Sequence, residues 1–262
     1  MSAAPSAAPA TVELGGGFIH VRRPDGRAAI LVPHLQSAGV AGMMSPQSVN
    51  ARHPDELRAW LEDWGFEAAL PLAQVEQVHG TQIVSAEPEQ PGVQADGIMS
   101  GSPGIILSVK VADCAPVWLA DMSSGRLALV HAGWRGVASG IIACAIDAMA
   151  AEGTQASELA VAVGPHLQAC CFEVGPEVAQ QFAGIEGAVR SEAELKVTHT
   201  RDDGSALDLS AALRADLHDL GVREEQIFAA TACTRCHPEL FHSYRRNGAG
   251  GPLMAAVATR RG

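Results

Sequence analysis

The hydrophobic and polar positions of the chain alternate between two periods. Residues 54–63 place Leu57, Trp60 and Leu61 on one face, behind a proline start and an acidic first turn, which predicts an amphipathic helix. The apolar run 28–32 reads as a strand followed by a glycine-containing loop. From residue 70 to 130 the pattern changes to short apolar or alternating runs between turn residues, predicting strands over 75–78, 82–84, 105–111, 117–119 and 127–130. Residues 137–151 are rich in Ala and Ile and long enough for a helix, whereas Leu159–Val163 ends at Gly164-Pro165 and fits a strand. Helical pattern returns at 176–182 and 209–220, the second capped by Asp208 or Ser210 and ended by Gly221. The runs 227–230, 241–244 and 253–257 read as strands again. Strands that are sometimes adjacent and sometimes separated by helices predict an α+β or mixed α/β layered fold.

Composition narrows the picture. A chain of 262 residues, 47% of them hydrophobic, can bury a sizeable core. With no internal repeat, the simplest organisation is one domain over residues 18–262 behind a flexible Ala/Pro leader over residues 1–17. The formal net charge of -11 opposes nonspecific attraction to nucleic acid or to an anionic membrane, so neither is expected as a partner. The leader has neither a basic segment nor a continuous apolar one, no apolar run approaches the length of a membrane helix, and six cysteines in a chain this long need no disulfide framework. Reduced thiols in a cytoplasmic protein are the expectation.

The candidate chemistry lies where strands give way to turns. His79 in Gln77-Val78-His79-Gly80, Cys114 in Ala112-Asp113-Cys114-Ala115-Pro116 and His131 in His131-Ala132-Gly133-Trp134 are too far apart for a local zinc knuckle, yet strand ends can converge. Two imidazoles and a thiolate suit zinc, and three protein ligands leave a fourth position for water or substrate. Two other readings stand beside this one. In the first, the histidines are hydrogen-bonded turn residues and Cys114 is a small buried hydrophobe. In the second, Cys114 is a nucleophile with His131 as its base, oriented by Asp113 or a backbone group.

These three motifs recur in the same order in one family, together with Gly164-Pro165, Cys170-Cys171-Phe172-Glu173-Val174-Gly175, Leu207-Asp208-Leu209, Cys233-Thr234 and Phe241-His242-Ser243-Tyr244-Arg245-Arg246. Over roughly residues 30 to 260 the chain resembles the laccase-domain multicopper polyphenol oxidase family, also called the YfiH family. The resemblance implies a four-layer α/β/β/α fold, similar to that of the cytotoxic necrotizing factor cysteine hydrolases, with His79, Cys114 and His131 holding zinc. It implies a purine nucleoside enzyme: phosphorolysis of adenosine, inosine, guanosine or methylthioadenosine, and deamination of adenosine, with nucleoside and phosphate as partners. Cys114, His131 and Asp113 are then the catalytic candidates, Asp113 for proton transfer. Arg135 and Arg245, beside Arg246, are candidates to hold phosphate or substrate with Gln77. A peptidoglycan-precursor editing hydrolase using Cys114 and His131, a copper polyphenol oxidase and a non-catalytic binding module are the alternatives, with Cu2+ as rival metal. The family's N-terminal Thr-Arg-x-Gly-Gly-Val-Ser segment is replaced here by Gly42-Met43-Met44-Ser45-Pro46-Gln47-Ser48, without the arginine.

Other signals are set aside. Cys233-Thr234-Arg235-Cys236-His237 has the form of a c-type haem attachment site, but no export signal accompanies it. A loop of reduced thiols is the reading here, with a second zinc site from Cys233, Cys236, His237 and His242 as the alternative. Cys170 and Cys171 read as packing residues, and Gly15-Gly16-Gly17 and residues 248–251 as turns.

Overall fold

A computed structural model describes residues 8–87, 92–191 and 205–260. In chain order the first elements are β1 (Ala10–Glu13), β2 (Ile19–Arg22), β3 (Ala28–Leu31), β4 (Val40–Met44) and helix α1 (Pro54–Asp63). Then follow β5 (Leu72–Gln74), β6 (Ile83–Ser85), β7 (Gly97–Ser100), β8 (Ile106–Val111), β9 (Ala115–Asp121) and β10 (Leu127–Ala132). Helices α2 (Trp134–Ala138) and α3 (Ile141–Ala151) lead to β11 (Leu159–Val163), β12 (Glu173–Val174), α4 (Pro176–Ala179), β13 (Val189–Ser191) and β14 (Ser205–Leu207). Helix α5 (Leu209–Asp219), β15 (Ile227–Ala229), α6 (Tyr244–Asn247) and β16 (Met254–Arg260) complete the chain.

The strands form mixed sheets. A seven-stranded sheet runs β1-β2-β3-β4-β16-β8-β5, a six-stranded one β15-β11-β9-β10-β7-β6, and a small one β12-β14-β13. Strands β9, β10 and β16 are buried almost throughout, because successive side chains enter different cores. Leu127 and Leu129 of β10 join the core shared by the two large sheets, whereas Ala128 and Val130 join the core under α3 and α5. In β16, Ala256 and Ala258 face the shared core, and Ala255 and Val257 pack with Leu57, Trp60 and Leu61 of α1. Burying each of the larger of these side chains stabilises the fold by ~1.5–3 kcal/mol. Trp118 joins the large sheets, donating its indole N–H to the Val257 carbonyl at 3.1 Å.

Several expected elements differ. Within the stretch expected as a flexible leader, Ala10–Glu13 pairs antiparallel with β2 and Leu14 is buried in the shared core; residues 1–7 lie outside the described residues. The strand expected over 75–78 sits earlier, as β5, and Glu76 keeps only an isolated bridge to Gln94. The helix expected over 137–151 is two helices, divided where Gly140 takes φ 83°. Residues 241–244 turn into α6 instead of extending, because Ser243 caps that helix. Strands β1, β2, β4, β7, β12, β13 and β14 were not read from the pattern. No helix of the described residues is long and apolar enough to cross a membrane.

Candidate metal centre and cleft

His131 is the fifth residue of β10, paired across the antiparallel ladder with Pro116 of β9, and the next pair is Ala132 with Ala115. Cys114 immediately precedes β9, so the ladder register alone sets its thiol beside the end of β10. The residue after Ala132 is Gly133, and glycine is required there: a Cβ would stand 2.9 Å from His79 Cδ2 and 3.1 Å from Cys114 Sγ.

His79 comes from the loop between β5 and β6, and one carboxylate brings it to the others. Asp96 lies just before β7, and its carbonyl accepts from the His131 N–H at 2.7 Å, extending the β7–β10 ladder. Its side chain is fully buried. Oδ1 accepts from the His79 N–H at 3.0 Å and from His131 Nδ1 at 2.8 Å; Oδ2 accepts from the N–H groups of Val78 and Gly80 at 3.1 and 2.6 Å. Burial alone would push this carboxyl up, but the His131 hydrogen bond and charge and the N–H groups of Gly80 and Val78 hold it below the usual carboxylate range. Sequence analysis did not single out Asp96. Its signal is a carboxylate between Ala95 and Gly97 at the head of an apolar strand, a place where a charge must be paired.

The donor atoms of His79, Cys114 and His131 lie within 4.8 Å of one another, with Cys114 Sγ 3.9 Å from His79 Nε2 and the two imidazoles edge to face at 4.9 Å. Because Nδ1 of His131 is committed to Asp96, its Nε2 carries the free lone pair, the arrangement found around metal-ligating histidines. The donor set, the buried carboxylate and the glycine cradle fit a metal ion. In the bare triplet, burial pushes the Cys114 thiol up, but the neighbouring imidazoles, His131 foremost, bring it down to about 6. Burial pushes His131 down, and the Cys114 sulfur and Asp96 raise it to about 9. Among the described residues only His79 (φ 60°) and Asp113 (φ 87°) are non-glycines with positive φ, so the backbone is strained on both sides of the thiol.

The triplet lines a cleft of about 600 Å³. Its walls include Trp134, Phe172 and Tyr244, and its cations are Arg52, Lys110, Arg135 and Arg245. Arg135 lies 4.3 Å over the Trp134 ring. Arg245 donates through its guanidinium to the carbonyls of Cys171 and Glu173 at 3.4 and 3.1 Å. Arg246 instead turns inward, onto the carbonyls of Thr234, Arg235 and Phe241. Arg52 and Lys110 carry no motif and were not anticipated.

Two expected roles meet different surroundings. The Gln77 side chain, expected on substrate, is doubly paired with the Lys110 backbone, donating to its carbonyl at 2.7 Å and accepting from its N–H at 2.8 Å. Asp113, expected to carry a proton, accepts from Thr234 Oγ1 at 2.5 Å, Ser243 Oγ at 3.0 Å and the Arg245 N–H at 2.6 Å. Both of its oxygens are occupied, so it positions the loop that carries Arg245.

Comparison with known proteins gives consistent results. The family described as multi-copper polyphenol oxidoreductase laccase matches residues 47–260. A purine nucleoside phosphorylase of Geobacillus stearothermophilus, YlmD, is 32% identical over 218 residues, covering 78% of this chain and 77% of that protein. Its crystal structure superposes with a TM-score of 0.77 at 25% identity, covering 93% of this chain and 96% of that one. A purine nucleoside phosphorylase of Streptomyces coelicolor is 32% identical over 246 residues, 93% of this chain and 95% of the relative. An adenosine deaminase from an unknown prokaryotic organism is 33% identical over 153 residues, 58% of this chain and 57% of that protein.

Proposed function

The chain belongs to the multi-copper polyphenol oxidoreductase laccase family, and from that premise we propose that it is a zinc-dependent purine nucleoside enzyme, catalysing phosphorolysis of adenosine, inosine, guanosine or methylthioadenosine and deamination of adenosine. The observation that carries the reading is the presence, in one cleft, of three metal donors, three aromatic side chains and four cations in a chain of net charge -11. Aromatic faces suit a purine ring, and guanidinium groups suit phosphate through charge-assisted hydrogen bonds. The printed activities of the relatives support the same substrates. A helix, two large sheets and two further helices, each successive pair sharing a core, support the four-layer α/β/β/α description as part of this proposal.

In phosphorolysis an oxygen of phosphate bonds to the ribose C1′ as the C1′–N9 bond breaks, and the electron pair leaves on the purine, which takes up a proton. The chain's part is to hold the anion in line and the base away from water. Arg135, Arg245 and Arg52 are the groups for the anion. Trp134, Phe172 and Tyr244 flank the base. His79, Cys114 and His131 would hold the metal, and Asp96 would fix the His131 tautomer. A zinc ion there supplies Lewis acidity and lowers the pKa of water, as deamination requires. Among the described residues no methionine lines the cleft as the weak axial ligand a blue-copper site uses, and the two imidazoles and one thiolate suit zinc.

A second reading is favoured by the Asp96–His131–Cys114 series, with its lowered thiol and raised imidazole: a thiol hydrolase that edits peptidoglycan precursors. Zinc-loaded protein incubated with inosine and with adenosine, with and without phosphate, separates the readings chromatographically. Phosphate-dependent release of hypoxanthine, or inosine formed from adenosine, is expected. Cleavage of a muramyl-serine nucleotide with purines untouched would replace the first reading with the second, and nucleoside binding without turnover would leave a binding module.

A further inference from the structure

Five of the six cysteines fall into two groups, and only Cys114 belongs to the cleft triplet. Cys170 and Cys171 lie in the loop after β11, and Cys233 and Cys236 in the loop after β15. These strands are parallel neighbours, and a bridge between His166 and Cys233 continues their pairing beyond the sheet. The two loops therefore leave side by side and bring four sulfurs within 4.8 Å of one another. The sequence expectation of packing residues on one side and a loop of thiols on the other missed this meeting, because the pairing of β11 with β15 is not local.

The spacing of the sulfurs identifies the chemistry. Cys170 Sγ stands 3.8 Å from both Cys171 Sγ and Cys236 Sγ, and Cys171 Sγ stands 3.4 Å from Cys236 Sγ. Four sulfurs at ~2.3 Å from a tetrahedral centre are ~3.8 Å apart. A disulfide would require a closing to ~2.05 Å. Cys233-x-x-Cys236 also has the local spacing of structural zinc ligands.

We propose that Cys170, Cys171, Cys233 and Cys236 form a second metal site, a closed tetrathiolate centre for a zinc-class ion, separate from the cleft. Four protein ligands leave no position for substrate, so its role is structural. It ties together the loop that carries Phe172 and the Cys171 and Glu173 carbonyls under Arg245, and the loop whose Thr234 holds Asp113. One wall of the cleft is thereby braced from behind.

The test uses the full chain with the cleft triplet removed, His79→Ala with His131→Ala, reduced and purified without chelator or nickel resin. One zinc per chain is expected by elemental analysis, with X-ray absorption showing sulfur ligands only and the cobalt-substituted protein showing strong sulfur-to-metal charge transfer. Adding Cys170→Ser and Cys236→Ser should lower the zinc content from one equivalent to none. Should that variant fail to fold, mercurial titration of the triplet variant substitutes, with four thiols besides Cys114 and Cys144 consumed per zinc released. A triplet variant that takes up no zinc when reconstituted, a nitrogen or oxygen ligand shell, zinc retained after the serine changes, or a mass short of two hydrogens from a Cys171–Cys236 disulfide would each overturn the site. These outcomes are independent of purine turnover, so the two proposals fail separately.

Discussion

Replacing Asp96 with asparagine changes one atom yet should disturb two metal ligands together. The carboxylate accepts four hydrogen bonds, two on each oxygen. Asparagine must set its NH2 at one of those positions. At Oδ2 it would face the N–H groups of Val78 and Gly80, leaving both without an acceptor. At Oδ1 it would face the His79 N–H and His131 Nδ1, and the imidazole could then accept only by moving its proton to Nε2, the nitrogen needed by the metal. Either orientation forfeits two hydrogen bonds to a charged acceptor, each contributing ~1.5–3 kcal/mol, so a destabilisation of ~3 kcal/mol is expected. For a chain somewhat above 250 residues this lowers Tm by ~6–12 °C. Zinc affinity should fall ~10–100-fold, as for other partners that orient metal-ligating histidines. Calorimetry of the metal-free protein and competition against a chromogenic chelator read the two effects separately. An Asp96→Asn protein with unchanged zinc affinity and a Tm within 1–2 °C of the parent, well below that shift, would refute the assignment of Asp96 as the common anchor of His79 and His131.

Three further outcomes are expected. Gly133→Ala keeps an ordinary extended backbone (φ -77°, ψ 159°) but sets a methyl against His79 and Cys114; chelator competition should show at least ~10-fold weaker zinc binding, with far-UV circular dichroism unchanged. In metal-free protein the Cys114 thiolate population rises with pH through about 6, so its alkylation by iodoacetamide, followed by peptide mass spectrometry, should reach half its maximal rate near there and be suppressed by added zinc. Asp121, only 1% exposed, is buried yet held well below the usual carboxylate range by hydrogen bonds from Thr154, Ser123 and Ser124. A depressed pKa gives stability that is present above the unfolded value of ~3.9 and lost as pH falls towards the folded one. The advantage of the parent over Asp121→Asn in urea denaturation should therefore be larger at neutral pH than in acid below that value.

What the chain declared on its own was local or repeated. Leu57, Trp60 and Leu61 recur at helical spacing, so α1 was bounded at Pro54 and Asp63 before any packing was known. Strands β8 to β11 show as apolar runs because each is buried on both faces, and the family motifs marked His79, Cys114 and His131 by residue type and order. Tertiary structure decided whatever depends on partners distant in the chain. Asp96 gains its partners only when β7 pairs with β10. Gln77 is a substrate candidate from its motif, and strand register pairs its side chain with the Lys110 backbone; Asp113 is a proton-transfer candidate, and residues 234–245 supply donors to both of its oxygens. Cys170 with Cys171 and Cys233 with Cys236 read as two unrelated pairs until β11 and β15 run side by side. Periodicity records which face of an element is buried, but a polar side chain takes its role from the donors and acceptors that strand register brings within 3 to 4 Å of it, and register between distant strands leaves no mark on local pattern.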